Sequence, residues 1–413
     1  MAEPRAFPTG LSVQQARERI VETCSARALP PERVALASAR GRVLARDAFA
    51  PFDIPGFTNS AMDGFAVRGR DLPASGEKAF RLIGEILAGG PEAPEVEAGT
   101  CVRIMTGAPL PRGADTVVMK ENTRVVDDRV TISAGTASGA NVRPTGEDYR
   151  AGDLGVARGS ELTPARLGVL ASFGVAEVEV ARQPRVVLLT TGDELVEPGQ
   201  ALGFGQIHDS NRHSLGGLLE QHGAILLRHE RVRDDPDTLR DALSRAGTDA
   251  DIIVSSGGVS AGEADFLPRL IAQIGNVYFW KVRIKPGMPF LFGEVGSALA
   301  FALPGNPVSG IAIFLTLLRP AFAALAGATL AGTTLRARLA QPVDKRHPRA
   351  EFQRARLACD AQGGLWATPQ QKQGSGMLRG VAEADALIAL PEGAHSFAAG
   401  DIVEVLALPG WPG

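Results

Sequence analysis

Three times in this chain an apolar run of strand length ends in a cluster of small, hydroxyl or acidic residues, and a helical pattern follows. The runs are Arg185-Val-Val-Leu-Leu-Thr-Thr191 before Gly192-Asp193-Glu194, Asp251-Ile-Ile-Val-Ser255 before Ser256-Gly257-Gly258, and a stretch from Ala298 before Leu303-Pro304-Gly305-Asn306-Pro307-Val-Ser309. Helices are predicted over 210–222, 265–274 and 307–326, with another over 235–245 that precedes the second run. Strands that are apolar on both faces and alternate with helices require a parallel sheet covered on both sides. In such sheets ligands lie outside the carboxyl ends of the strands, and all three loops fall at that edge. The pattern predicts one phosphate- and metal-binding site there, although none of the loops is a Walker loop or a G-x-G-x-x-G fingerprint.

A basic segment leads into the third loop. Lys281, Arg283 and Lys285 alternate, so on an extended strand they share one face, and Pro286-Gly287-Met288-Pro289 follows as a turn. Asn306 suits an N-cap and Pro307 the first helical turn. A helix start offers free N–H groups and a positive dipole end, and beside lysines it makes an oxyanion cradle.

The remaining composition narrows the class. A chain of 413 residues predicts roughly two to four domains. Its net charge of -3 gives no bulk attraction for nucleic acid or membranes, so any anion site must be a local cluster. Cys24, Cys101 and Cys359 lie far apart with no C-x-x-C, which fits a reducing cytosol and offers no zinc site. The first ten residues lack the apolar core of a signal peptide. The apolar stretch 311–328 is interrupted by Arg319-Pro320 and reads as a buried helix, not a membrane span.

Outside the α/β region the pattern changes. Residues 11–25 read as a helix that Ser12 can cap, with Val13, Ala16, Ile20, Val21 and Cys24 at helical spacing. Residues 57–149 read as short strands between Gly and Pro turns, 158–174 as a helix, and the segment from 335 onward as a small β-barrel or sandwich. Turn clusters carry possible chemistry: Asn59-Ser-Ala-Met-Asp63-Gly64, Arg103-Ile-Met-Thr106-Gly107 and Arg143-Pro-Thr-Gly-Glu-Asp148 in the β module, and Glu351-Phe-Gln-Arg354 and Gln373-Gly-Ser375-Gly376 near the end. An arginine fork suits a tetrahedral oxyanion. The six histidines show neither H-x-x-x-H nor H-E-x-x-H spacing, and no nucleophile elbow is present. Asp193, Glu194, Asp234, Asp235, Glu263 and Asp265 are better candidates, because hard carboxylate oxygens suit Mg²⁺ alongside phosphate and water.

Taken together and in order, these motifs resemble the molybdopterin molybdenumtransferase (MoeA-type) family, related to the E domain of gephyrin. The resemblance rests on Asn59 to Gly64, Arg103 to Ala108, Thr191 to Leu195, Ser255 to Ser260, Gly262 to Asp265, Lys285 to Gly287 and Leu303 to Ser309. It implies a multidomain α/β plus β architecture. A small, discontinuous, partly helical domain would come from 8–52 and 150–182, and a β-rich domain from 53–149. A doubly wound α/β domain of the molybdopterin adenylyltransferase (MogA-like) fold would span 183–328, and a C-terminal β-barrel 329–413. It further implies a homodimer whose cleft lies between the β-rich domain of one subunit and the α/β and barrel domains of the other. The activity implied is insertion of molybdenum from molybdate into adenylylated molybdopterin, with AMP released and Mg²⁺ required, in the cytoplasm. The expected partners are the molybdopterin adenylyltransferase and molybdoenzyme maturation factors, with no nucleic acid and no membrane.

By the same resemblance, Asp63, Thr106, Asp148, Glu194, Asp265, Lys281 and Lys285 would be catalytic, with Glu194 and Asp265 holding the metal. Lys285, Pro289, Ser309, Arg354 and Ser375 would surround molybdate. Ser256, Gly257, Gly258, Pro304, Gly305, Asn306 and Pro307 would bind the rest of the substrate. One departure stands out: many relatives carry lysine where this chain has Met288. Two alternatives stay open, an ATP-dependent molybdopterin adenylyltransferase and a non-enzymatic scaffold like the gephyrin E domain. The two β modules argue against the first, and the retained acids and Lys285 argue for chemistry.

Overall fold

The computed structural model describes residues 7–259, 266–329 and 334–411. Its centre is a seven-stranded sheet in the order Thr9–Leu11, Gly275–Val282, Leu291–Val295, Ala298–Leu303, Ile252–Ser256, Arg185–Thr191, Ile225–Val232. The last four strands run parallel; three of them are the apolar runs that predict such a sheet, and the fourth, Ile225–Val232, carries Arg228, His229, Glu230 and Arg231 and is not among the predicted strands. The Leu291–Val295 strand is antiparallel to both its neighbours, so the expectation of a uniformly parallel sheet holds for only part of it. Only Ser297 and Gly296 separate Leu291–Val295 from Ala298–Leu303, and so short a link permits a hairpin but no crossover helix.

Helices cover both faces. Asn211–Gln221 and the long run Pro307–Leu325 share one core with Phe279, Phe290, Phe292 and Phe301, while Pro236–Asp249 and Leu267–Ile274 pack on the other face. The Pro307–Leu325 run is long and apolar enough to cross a membrane, but 83% of it is buried within the protein. Arg319-Pro320 does not end it; a π-helical stretch at Phe314–Leu318 absorbs the missing N–H and the helix resumes. The helix at Val13–Ser25 starts in a capping box between Ser12 and Gln15 and buries Val13, Ala16, Ile20 and Cys24 in this same core. The chain's first strand and helix therefore complete the α/β layer, while the resemblance groups them with 150–182.

The discontinuous unit is built from 31–49 and 154–181. Glu177–Ala181 pairs antiparallel with Pro31–Ala35, Leu154–Val156 pairs with Ala48–Phe49, and Leu44, Val156, Leu162, Leu170 and Val180 form its core. Its helix is shorter than the predicted 158–174: it spans Pro164–Ser172, starting where Thr163 caps and Pro164 fits the first turn. Between these segments lies the β-rich domain, a six-stranded sheet ordered Thr116–Met119, Gly64–Val67, Thr100–Ile104, Glu77–Ile86, Arg129–Ser133, Thr123–Val126. At the other end, Ala350–Cys359, Leu365–Pro369, Thr334–Leu339, Ile402–Ala407 and Ala386–Leu390 close on one another as a five-stranded barrel. The two-residue strand Ile284–Lys285 adds parallel to Ala350-Glu351 and ties the barrel to the α/β domain.

Candidate active site

A cleft of about 1000 Å³ opens where the strand ends of the α/β domain meet the barrel. Its α/β wall comes from the predicted edge: Thr190, Thr191, Glu194, Ser256, Pro304, Gly305, Asn306, Pro307 and Ser309. Lys285 to Pro289 form the link between domains, and Arg349, Glu351, Gln373, Ser375 and Leu378 come from the barrel. Two glycines are dictated by close approach. Gly257 has φ +104° and a Cβ there would stand 2.3 Å from the Thr191 carbonyl oxygen. Gly287, at φ +111°, passes so near Ile313 that a Cβ would meet its side chain at 2.8 Å. Gly257 and Gly258 shape the turn beside Gly305 without lining the cleft themselves.

The helix start is arranged differently from the sequence expectation. Asn306 occupies the N-cap position and Pro307 the first turn, but the Asn306 side chain makes no capping bond. Instead the Val308 N–H donates to the Ser375 carbonyl at 3.1 Å, so a barrel loop caps the helix and Ser375 is held against it. Ser309 is 2% exposed and lines the cleft floor.

The three alternating cations do not share one face. Lys281 adopts φ +63°, which breaks the pleat, and its ammonium lies over the Trp280 ring at 4.2 Å, outside the cleft lining. Beyond that break Val282 and Ile284 are buried, and Arg283 and Lys285 both turn toward the barrel. Arg283 is consumed by Glu392 at 3.0 Å and by the Gly10 carbonyl. Lys285 alone of the three reaches the cleft, with its side chain 41% exposed and its Nζ 2.8 Å from Glu351 Oε1.

Arg354 likewise does not present a free fork. It is 1% exposed, and its guanidinium donates to the carbonyls of Lys372 at 2.6 Å and Gly374 at 3.1 Å and to Gln370 Oε1 at 3.2 Å. Burial holds its pKa below the ordinary arginine value. Its place is structural: it fixes the loop that carries Ser375.

Asp63, Thr106 and Asp148 lie elsewhere in the chain's surface. The Asp63 carboxylate accepts from the Thr106 N–H at 2.9 Å and the Thr106 hydroxyl at 2.8 Å, with Lys120 at 3.5 Å. Those hydrogen bonds hold its pKa below the usual carboxylate range. Asp63, Arg103 and Lys120 line a separate pocket of about 370 Å³, which has no residue in common with the main cleft. Asp148 is exposed on a turn, its N–H donating to the Ile54 carbonyl at 2.9 Å. Asp265 lies outside the described residues, as do Ser260, Gly262 and Glu263. Among the described residues no three acids, histidines or cysteines gather as a metal cluster.

Several cleft residues had no assigned role from sequence. Asp209, 1% exposed, accepts from the Thr190 hydroxyl at 2.6 Å and the Arg212 N–H at 3.0 Å, with His229 at 3.5 Å. Burial opposes its ionisation, but the hydrogen bonds from His229, Thr190 and Arg212 outweigh it and its pKa is lowered. Asn211 donates to the Ser256 hydroxyl at 2.8 Å and the Gly305 carbonyl at 2.7 Å, locking two strand-end loops together. The signal was Asp209-Ser-Asn211 at a helix start, a polar trio that reads equally as capping. Arg349 and Glu351 arrive through barrel closure, which no local pattern announces.

Comparison with known proteins agrees over the whole length. Residues 11–174 match the model of the MoeA N-terminal region (domain I and II), 187–324 the probable molybdopterin binding domain, and 336–408 the MoeA C-terminal region (domain IV). The chain is 37% identical to the molybdopterin molybdenumtransferase of Haemophilus influenzae, over 96% of this chain and 98% of that one. It is 33% identical to that of Staphylococcus aureus, over 96% and 95%. A crystal structure of the molybdopterin biosynthesis MoeA protein from Pyrococcus horikoshii superposes with a TM-score of 0.83 at 28% identity, covering 97% of this chain and all of that one. With relatives this similar along both full lengths, the chain belongs to the molybdopterin molybdenumtransferase family.

Proposed function

We propose that this protein inserts molybdenum from molybdate into adenylylated molybdopterin and releases AMP. The observation that carries the reading is the union, in one cleft, of Lys285, Ser309 and Ser375 with the strand-end loops at Thr191, Ser256 and Gly305. A cation and two hydroxyls suit a small tetrahedral oxyanion, and small-residue loops at strand ends suit phosphates. The ligand is strongly anionic, so a local cation in a chain of net charge -3 supplies the attraction. Lys285 and the cleft hydroxyls would hold molybdate against the dithiolene. The loops from Thr191 and Ser256 would hold the phosphoanhydride whose cleavage frees AMP.

Glu194 lies exposed on the cleft rim and Asp265 outside the described residues. Glu194, an exposed carboxylate beside loops suited to phosphate, fits Mg²⁺ that arrives on substrate phosphate, since Mg²⁺ takes only one or two carboxylates and keeps the rest of its shell as phosphate and water. When bound, the ion would neutralise charge on the phosphates during cleavage. A homodimer accounts for the separate Asp63 pocket, which would complete the cleft of the partner. The three free cysteines suit a reducing cytosol.

The test is AMP release by purified protein given adenylylated molybdopterin, molybdate and Mg²⁺. Molybdate-dependent AMP release is expected, and Glu194→Gln should raise the Mg²⁺ concentration required. ATP consumption would point to the adenylyltransferase and no turnover to a scaffold; either overturns the reading.

A further inference from the structure

On the barrel side of the cleft lies an ionic cluster that anion binding alone does not explain. Glu351, 5% exposed, bridges two groups: Oε1 accepts from Lys285 Nζ at 2.8 Å, and Oε2 lies 3.0 Å from His347 Nε2. Strand pairing places it there, because Lys285 stands directly opposite Glu351 in the parallel register. Lys345, 2% exposed, backs the cluster, its Nζ donating to the His347 carbonyl at 2.8 Å and to the Gly393 carbonyl. The remaining ring nitrogen of His347, Nδ1, is buried without a partner among the described residues. The charged groups facing His347 are Lys285, Glu351 and Lys345; Glu392 reaches Lys345 and is itself held by Arg283. Partly buried, and with two lysines nearby, His347 is held below its ordinary 6.5 although Glu351 pulls the other way.

We propose that Glu351 is the positioning residue of Lys285, and that His347, by sharing the carboxylate, sets how much of the lysine's charge an oxyanion in the cleft meets. The inference rests on the anion-binding reading given above. An ammonium on a four-carbon stem has many rotamers and no fixed direction. One N–H spent on a buried carboxylate fixes the other two toward the cleft. The same carboxylate offsets the lysine's charge. While His347 is neutral, that offset falls on Lys285 and on the more distant Lys345. Once His347 is protonated, Glu351 is shared with one more cation, the cluster gains one positive charge, and an anion in the cleft is held more tightly. Molybdate affinity therefore rises as pH falls through the His347 titration, below 6.5.

Two measurements test this. Without substrate, lysines are labelled by reductive ¹³C-dimethylation and the Lys285 signal is identified by its loss in Lys285→Arg. That signal should step below pH 6.5 in the wild type and lose the step in both Glu351→Gln and His347→Gln. In turnover, Glu351→Gln should lower kcat about tenfold or more without raising the KM for molybdate, because the freed cation still attracts the anion but no longer aims at it. His347→Gln, which keeps a donor near the Nε2 position, should abolish the acid-side fall of that KM. An unchanged Lys285 step in both variants, or an unchanged kcat in folded Glu351→Gln, overturns the proposal. If Glu351→Gln does not fold, as judged by its thermal unfolding, the His347→Gln titration decides alone. If the wild type releases no AMP, the functional reading falls while the substrate-free signal still decides the pairing.

Discussion

The N–H of Val308 donates to the carbonyl of Ser375 at 3.1 Å, so the first turn of the central helix is capped by a loop from a different domain. An orphan helical donor is thereby satisfied from across the cleft, and the hydroxyl of Ser375 is brought onto the same wall as Ser309. The barrel is thus part of the site's geometry as well as its neighbour.

That contact depends on Arg354. Arg354→Ala would leave the carbonyls of Lys372 and Gly374 without their buried donor. The expected cost is roughly 2–4 kcal/mol in stability, with a larger loss of molybdate affinity than of fold. Arg354→Lys should recover little, since an ammonium cannot replace a planar fork that spans three acceptors. Urea unfolding together with calorimetry of molybdate binding checks both; wild-type stability in Arg354→Ala would show that the loop holds itself.

Met288 lines the cleft and is 39% exposed, two residues from Pro286 on the Lys285 link. A thioether offers an oxyanion no charge and no donor. Met288→Lys should tighten molybdate binding by roughly 0.5–2 kcal/mol, up to about thirty-fold, and the gain should shrink with added salt. Calorimetry at two ionic strengths measures it. No gain would mean that position 288 does not face the anion.

The Asp63 pocket and the Lys285 cleft share no lining residue within one chain. If each site is completed by a second subunit, Asp63→Ala and Lys285→Ala proteins, each inactive, should regain about a quarter of wild-type activity after exchange, because half the dimers are mixed and each mixed dimer keeps one intact site. AMP release is followed, with exchange verified by mass spectrometry. A mixture that exchanges but stays inactive would sink the shared site.

Asp209 gives an acid-side prediction. Its folded pKa lies below its ordinary 3.8 because hydrogen bonds from His229, Thr190 and Arg212 outweigh burial. A depressed carboxylate stabilises the fold above its unfolded pKa, and the contribution is lost as pH falls through the folded value. Asp209→Asn should therefore cost most near neutrality, and the gap to wild type should close as pH drops below 3.8. Urea midpoints across a pH series read this directly. A gap that does not vary with pH would assign the loss to packing.

What the sequence by itself determined was local. Apolar runs ending in Gly/Ser clusters specified strands at Arg185–Thr191, Ile252–Ser256 and Ala298–Leu303, and their loops do meet at one edge. Ser12 announced a helix start that the structure keeps. Periodicity and capping are short-range effects, so they are written within a few residues of where they act. Only the tertiary structure decided the rest. One positive φ at Lys281 removes that lysine from the face it was expected to share, and burial turns Arg354 from a ligand into a brace. Glu351 is 66 positions from Lys285 along the chain, and their pairing exists only because barrel closure sets a two-residue parallel strand in register. Such contacts depend on which distant segments are brought together, and no local pattern carries that information.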